Sequence, residues 1–212
     1  MERLAKKIAA SIGTSLGQNE ENIAVVAYGL IGILQFLAIF ILASVIGLIF
    51  SCWIEVVIVF LSVGFLRRFT GGAHSSGIYS CLVYSVFFVC SISAIARYAL
   101  PLLPFEAVCV FCAAVFLFSY IMVALKAPVS PPNKPCRTEE KRKRLRKWAF
   151  IVVSAFMVCI AAALIFRNVN IRLYSSGLAL TLSTLWQIIM MTKAGHKFIS
   201  FFDGLFHSKK HE

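Results

Sequence analysis

The sequence predicts an all-α integral membrane protein with six transmembrane helices, an N-terminal amphipathic helix and both termini in the cytosol. Three observations carry this expectation. Hydrophobic residues make up 60% of the 212-residue chain and charged residues only 14%, whereas soluble domains sit nearer half and a quarter. The apolar excess is blocky, in runs long enough to cross a bilayer, for which about 18 or more residues suffice. Finally, the Lys and Arg residues fall almost entirely on one set of alternate connections. Residues 1–212 are expected to form one membrane domain.

Residues 1–18 place Leu4, Ile8, Ile12 and Leu16 at four-residue spacing, with Lys6, Lys7, Ser11 and Thr14 off the stripe. This is the pattern of a helix lying on a membrane surface; a partly ordered tail is the alternative. The expected spans are 23–50, 53–66 after a tight Ser51–Cys52 connection, 78–100 stopped by Pro101 and Pro104, 105–125, 148–166 and 173–191. The first apolar stretch is too long for the core of a cleavable signal peptide. Gly29 and Gly32 in the first span have the spacing of a helix contact site. A basic tail is expected to end the chain.

Between the fourth and fifth spans lies a polar stretch, 126–147. Pro128, Pro131, Pro132 and Pro135 predict extended chain there. Lys141, Arg142, Lys143, Arg144, Arg146 and Lys147 follow. This basic loop has the character of a topology determinant that also attracts anionic lipid.

Counting Lys and Arg gives 18 in the N-terminal tail, the 67–76 connection, the 126–147 loop and the C-terminal tail, against Arg97, Arg167 and Arg172 on the other side. Basic loops stay in the cytosol, so both termini and both basic connections are expected there, with an even number of spans. The net charge of +12 is thereby explained by membrane orientation, and no nucleic-acid partner is expected. Seven cysteines lie scattered, mostly in apolar runs, which is not a disulfide framework. Cys109 and Cys112 form a C-x-x-C in an apolar span, a poor setting for a metal; Cys52 lies on the same side, where a disulfide is conceivable. No metal or cofactor is expected.

The connection after the second span reads Arg67-Arg68-Phe69-Thr70-Gly71-Gly72-Ala73-His74-Ser75-Ser76-Gly77, with Cys81 just beyond. The glycines disfavour a continuous helix, and Ser75 or Ser76 can cap a helix starting near Gly77. His74 and Cys81 are seven residues apart. On one straight helix that is a rise of about 10 Å, whereas a nucleophile and its base approach to about 3 Å. The pair can therefore act together only if Gly71, Gly72 and Gly77 let the chain fold back. A helix N-terminus and a nearby imidazolium both favour a thiolate. On the residues alone, an interfacial loop histidine and a small buried cysteine explain the pair as well.

The segment resembles the AgrB (accessory gene regulator B) family, membrane cysteine endopeptidases that process precursors of staphylococcal autoinducing peptides, with clostridial relatives. The resemblance rests on Arg67-Arg68, Gly72-Ala73-His74, the interval to Cys81, and Ala127-Pro128 followed by Lys134-Pro135 and a basic run. It implies Cys81 as nucleophile and His74 as general base, with Arg67, Arg68, Gly71 and Gly72 as supporting motif positions. It implies cleavage of the precursor's C-terminal tail through a thioester on the cysteine, then closure to a cyclic thiolactone or lactone signal peptide. The implied setting is the bacterial cell membrane with the active site on the cytosolic side, and the implied assembly a homodimer. The precursor would have an amphipathic N-terminus and an acidic C-terminal tail, the latter docking on Lys141, Arg142, Lys143 and Arg144.

No third triad member is apparent near the motif. Glu139, Glu140 and Asp203 are cytosolic but distant in sequence, so a dyad is expected. Cys136 is the rival nucleophile. Gln187 is a candidate oxyanion donor. Glu55, Arg97 and Glu106 are expected to cluster near span ends, where pairing satisfies them. The alternatives are a small peptide transporter or exporter without covalent chemistry, which the spans alone motivate, and a scaffold or sensor using the basic loop.

Overall fold

Within a bilayer each backbone N–H and C=O needs a partner in its own segment, and long apolar sequences meet that demand as helices. The computed structural model describes residues 2–15, 17–73, 77–129 and 138–207. These form helices α1 (Glu2–Ser15), α2 (Glu20–Ile49), α3 (Trp53–Thr70), α4 (Ile78–Ala94), α5 (Phe105–Lys126), α6 (Glu139–Ile165), α7 (Ile171–Met190) and α8 (Lys193–His207). Past Ala94, α4 continues through a π-helical turn, Ile95–Ala99, and a 3-10 turn, Leu100–Leu102. Pro101 explains the change of winding: it has no N–H to donate and its ring crowds the preceding turn.

Among the described residues, five helices are long and apolar enough to cross a membrane: Glu20–Ile49, Ile78–Leu102, Phe105–Lys126, Glu139–Ile165 and Ile171–Met190. The expected second span corresponds to α3, which has 18 residues and carries Glu55, Arg67 and Arg68. Those charges keep it out of the five.

Two further expectations change. The basic residues Lys141–Lys147 belong to α6 rather than to a loop. The prolines end their influence before Thr138, after which Glu, Lys, Arg and Leu favour helix. Glu139 and Glu140 in the first turn complement the helix dipole. The C-terminal tail is likewise helical, as α8, because Phe198, Ile199 and Phe202 line up to bury one face.

The chain divides into two units, Met1–Leu42 and Ala43–Glu212. In the first, Ala5, Ala9 and Gly13 are buried on α1, while Leu4 and Ile12 stay exposed. Gly13 lies against Ile23 of α2, where a Cβ would come within 2.2 Å of the isoleucine side chain. Leu16, the last of the expected stripe, lies outside the described residues. Gly29 and Gly32 have open space beside them.

In the second unit α7 is the central element, packed against α3, α4, α5 and α6. Its buried face is unusually polar, with Ser175, Thr181, Ser183, Thr184 and Gln187. Each hydroxyl has local or cross-helix partners. Ser62 Oγ of α3 donates to Ser183 Oγ at 2.6 Å, and Thr181 Oγ1 lies 3.6 Å from Cys112 Sγ. Small residues allow the close approach such bonds need; at Gly177 a Cβ would come within 2.5 Å of Ala163 Cβ on α6. At the start of α7, Ser175 Oγ donates to Glu55 Oε1, and Arg97 on the π-helical turn lies 3.8 Å from the same carboxylate. The expected third member, Glu106, forms no ion pair with them among the described residues. The opposite end of α3 and α7 carries the glycine-rich connection and Cys81.

Candidate active site

The motif takes its geometry from the way α3 stops. Gly71 closes the helix with φ +70° and ψ −149°, donating its N–H to Arg67 O at 2.8 Å. That backbone region is open essentially to glycine alone. Gly72 follows with φ +130°. Together they reverse the chain and bring Ala73 beneath the end of α7, where its N–H donates to Met190 O at 2.9 Å. The carbonyl of Ala73 accepts from the Arg67 guanidinium.

The turn is held from two further directions. From α7, Gln187 Nε2 donates to Thr70 Oγ1 at 2.9 Å and to Gly71 O at 2.8 Å. From the chain leaving α5, Val129 N–H donates to Thr70 O at 2.8 Å, and Gly71 and Val129 pair as an isolated parallel bridge. That segment is itself fixed by Arg146 of α6, whose Nε donates to Ala127 O at 2.8 Å. Trp148 stacks on Phe69 with ring centroids 6.2 Å apart. The two motif regions singled out in the sequence, 67–73 and 127–129, are thus hydrogen-bonded to each other.

Cys81 is the fourth residue of α4, and its N–H donates to Gly77 O at 3.0 Å. This first turn is where the helix dipole favours a thiolate. The side chain is buried at 8% exposure, with Sγ 3.9 Å from Tyr84 Oη and 4.0 Å from Ser85 Oγ. Ala73, Cys81, Tyr84, Met190 and Ile199 form one buried cluster, flanked by Phe88, Trp186, Phe198 and Phe202. Ser80, beside the thiol, donates from Oγ to Gly77 O and to Asp203 Oδ1, both at 3.0 Å.

His74, Ser75 and Ser76 lie outside the described residues, as does Cys136. Gly77 occupies the N-cap position of α4 and offers no side-chain cap. The paired arginines part company: Arg67 is half-buried and bonded to Ala73, whereas Arg68 is exposed. Lys141, Arg142, Lys143 and Arg144 are exposed on the first turns of α6. Both N–H bonds of the Gln187 amide serve Thr70 and Gly71, so it clamps the turn. Cys52, Cys109 and Cys112 are free thiols. Among the described residues no group of three His, Cys, Asp or Glu side chains is placed to hold a metal.

The sequence profile of the family described as accessory gene regulator B matches residues 5–191. The chain belongs to this family. AgrB membership gives it a role in the accessory gene regulator system. Among curated relatives, a putative AgrB-like protein of Clostridium perfringens (strain SM101 / Type A) is 28% identical over 199 residues, covering 92% of this chain and 93% of the relative. A putative AgrB-like protein 2 of Clostridium perfringens (strain 13 / Type A) is 26% identical, with 92% and 93% covered. A putative AgrB-like protein of Halalkalibacterium halodurans is 25% identical, with 93% and 89% covered. No solved structure matches.

Proposed function

We propose that this chain is a membrane cysteine endopeptidase that removes the C-terminal tail of a quorum-sensing precursor peptide and leads to its cyclic product. The observation that carries the reading is the reversal at Gly71–Gly72. It puts Ala73, the residue bonded to His74, in the same buried cluster as Cys81. A straight helix would keep the base and the thiol about 10 Å apart along its axis.

In the proposed reaction His74 accepts the Cys81 thiol proton, and the thiolate attacks the scissile carbonyl carbon. The tetrahedral intermediate collapses with cleavage of the C–N bond. The imidazolium gives its proton to the departing amine, and the precursor remains as a thioester on Cys81. An internal thiol or hydroxyl of the peptide then attacks the thioester, its proton passing to His74. The ring closes and Cys81 leaves, regaining its proton from the imidazolium. A thioester suits the second step because it stays reactive toward such nucleophiles.

In this reading α3 crosses the membrane with the five longer helices, giving six spans with both termini and the active site in the cytosol. The exposed apolar residues of α1, Leu4 and Ile12, then rest on the membrane surface. The exposed cations of α6 receive the acidic tail of the precursor and anionic lipid, and the enzyme works as a homodimer.

The deciding experiment is precursor cleavage in membranes containing the full chain. Cys81→Ala and Cys81→Ser should each insert normally and abolish cleavage. A precursor lacking its internal nucleophile should accumulate on the wild-type enzyme as a hydroxylamine-labile adduct. Normal processing by Cys81→Ala would refute the reading.

A further inference from the structure

At the end of the bundle opposite Cys81, a cavity of about 350 Å³ opens between the first turns of α3 and α7 and the π-helical turn after α4. Its walls are charged. Glu55 of α3 is buried at 2% exposure. One oxygen of its carboxylate, Oε1, accepts from Ser175 Oγ and lies 3.8 Å from Arg97 Nη1. The other, Oε2, has no hydrogen-bond partner among the described residues. Arg97 donates from Nη1 to Ser175 Oγ at 3.3 Å, which leaves further donors on its guanidinium fork. Arg172, on the first turn of α7, is exposed and forms no ion pair among the described residues. One carboxylate thus meets two guanidinium groups, and the cavity has a net positive charge. Trp53, Ile54 and Glu55 also bring the first turn of α3 to the cavity, and that turn has no side-chain cap. Its N–H groups add to the preference for an anion. The rim is apolar, with Leu48 at 63% and Trp53 at 43% exposure. Tyr98, which follows Arg97, is exposed and donates to Phe50 O. Trp and Tyr among apolar residues at helix ends mark the level of lipid headgroups.

We propose that this cavity binds an anionic phospholipid with a hydroxyl-bearing headgroup, taken from the leaflet opposite Cys81. The phosphodiester sits between Arg97 and Arg172, a headgroup hydroxyl donates to Glu55 Oε2, and the acyl chains lie along Leu48 and Trp53. Arginine suits this role because its planar fork matches two phosphate oxygens. A soluble phosphate ester offers the same anion but nothing for the apolar rim. The site is distinct from the exposed cations of α6, which attract anionic lipid by charge alone, and it stands independently of the protease reading.

The test is the thermal midpoint of the full-length protein in a neutral detergent with lipid added to the micelles. Phosphatidylglycerol should raise the midpoint of the wild type by a few degrees more than phosphatidylcholine does. Arg172→Gln removes an exposed charge outside any ion pair, so it should melt like the wild type without lipid. It should need about tenfold more phosphatidylglycerol for the same rise. Replacing Lys141, Arg142, Lys143 and Arg144 together by glutamine should leave the rise in place. Phosphatidylmethanol, which keeps the charge and lacks the hydroxyls, should stabilise less, and glycerol 3-phosphate at the same concentration not at all. Equal rises with phosphatidylglycerol and phosphatidylcholine would overturn the proposal. So would a rise that survives undiminished in Arg172→Gln, is lost with the α6 cations, or is matched by phosphatidylmethanol or glycerol 3-phosphate.

Discussion

Gln187 and Gly71 are joined by a hydrogen bond of 2.8 Å from the side-chain Nε2 to the backbone carbonyl, and the same nitrogen reaches Thr70 Oγ1 at 2.9 Å. One buried amide thus fixes both the last residue of α3 and the glycine that ends it. Gln187→Leu has similar bulk but removes the donor to the Gly71 carbonyl, at a cost of about 1–3 kcal/mol, while Thr70 Oγ1 keeps its bond to Leu66 O. It should lower the thermal midpoint in detergent and reduce precursor cleavage, whereas Gln187→Glu should retain more of both only when its carboxyl is protonated. A Gln187→Leu protein with unchanged melting and cleavage would show that the clamp is dispensable.

Gly71 and Gly72 should differ in how they fail. A Cβ at Gly71 would sit 2.0 Å from Val129 O, in addition to the strained φ of +70°, so Gly71→Ala must break the bridge to the chain leaving α5. At Gly72 the nearest atom, Met190 O, is 3.1 Å away and the φ of +130° is the larger obstacle. Backbone strain of this kind costs on the order of 1–3 kcal/mol. Both substitutions should impair cleavage, with Gly71→Ala the more severe in melting temperature. Limited proteolysis of the connection between α5 and α6 should accelerate in Gly71→Ala and much less in Gly72→Ala.

How much of this was legible in the sequence follows from the range of each interaction. Helix periods and apolar runs are local, and they located the long apolar helices to within a few residues, except that α6 starts at Glu139, well before the expected 148. The Gly-rich turn was legible too, since only glycine tolerates its backbone. The partners of that turn were not. Gln187 and Thr70 are 117 residues apart, and nothing in either neighbourhood marks them as bonded. Asp203 and Ser80, 123 residues apart, are hidden in the same way, although the spacing of Phe198, Ile199 and Phe202 was a usable sign that the tail is a helix with a buried face. The loop expected at 126–147 differs for another reason: its prolines bear on the chain before Thr138, and beyond it helix propensity and the Glu139–Glu140 pair take over. On α1 the residues that bury are the small Ala5, Ala9 and Gly13, whereas Leu4 and Ile12 of the large apolar stripe stay exposed.

Arg67 and Arg68 look equivalent as a basic pair, and the structure separates them. Arg67 holds the carbonyl of Ala73, on the chain leading to His74, whereas Arg68 is exposed. Arg67→Lys replaces a planar donor fork by a point charge on a more flexible stem and should cut kcat for precursor cleavage by roughly tenfold or more. Arg68→Lys should stay within about twofold, because an exposed charge is retained. Equal losses for the two variants would mean that the Ala73 contact does not position the site.

The far end of the bundle tests stability apart from chemistry. Glu55 is buried at 2% exposure, accepts from Ser175 and lies 3.8 Å from Arg97, beside a cavity of about 350 Å³ lined also by Trp53 and Arg172. Some 15 residues of α3 separate Glu55 from Thr70, or about 22 Å of helix. Removing one member of a buried pair strands the other, at a cost of about 3–5 kcal/mol. Arg97→Met strands the buried Glu55 carboxylate and should fall within that range, whereas Glu55→Leu strands an Arg97 that retains some solvent contact and should cost less. The double variant should melt higher than the sum of the single losses implies, since no charge is left stranded. Cleavage per folded molecule should stay near wild type in all three, because the pair lies a helix length from Cys81. Additive melting losses would show that Glu55 and Arg97 are stabilised separately, and a fall in cleavage without a fall in melting temperature would show that this end of α7 communicates with the thiol.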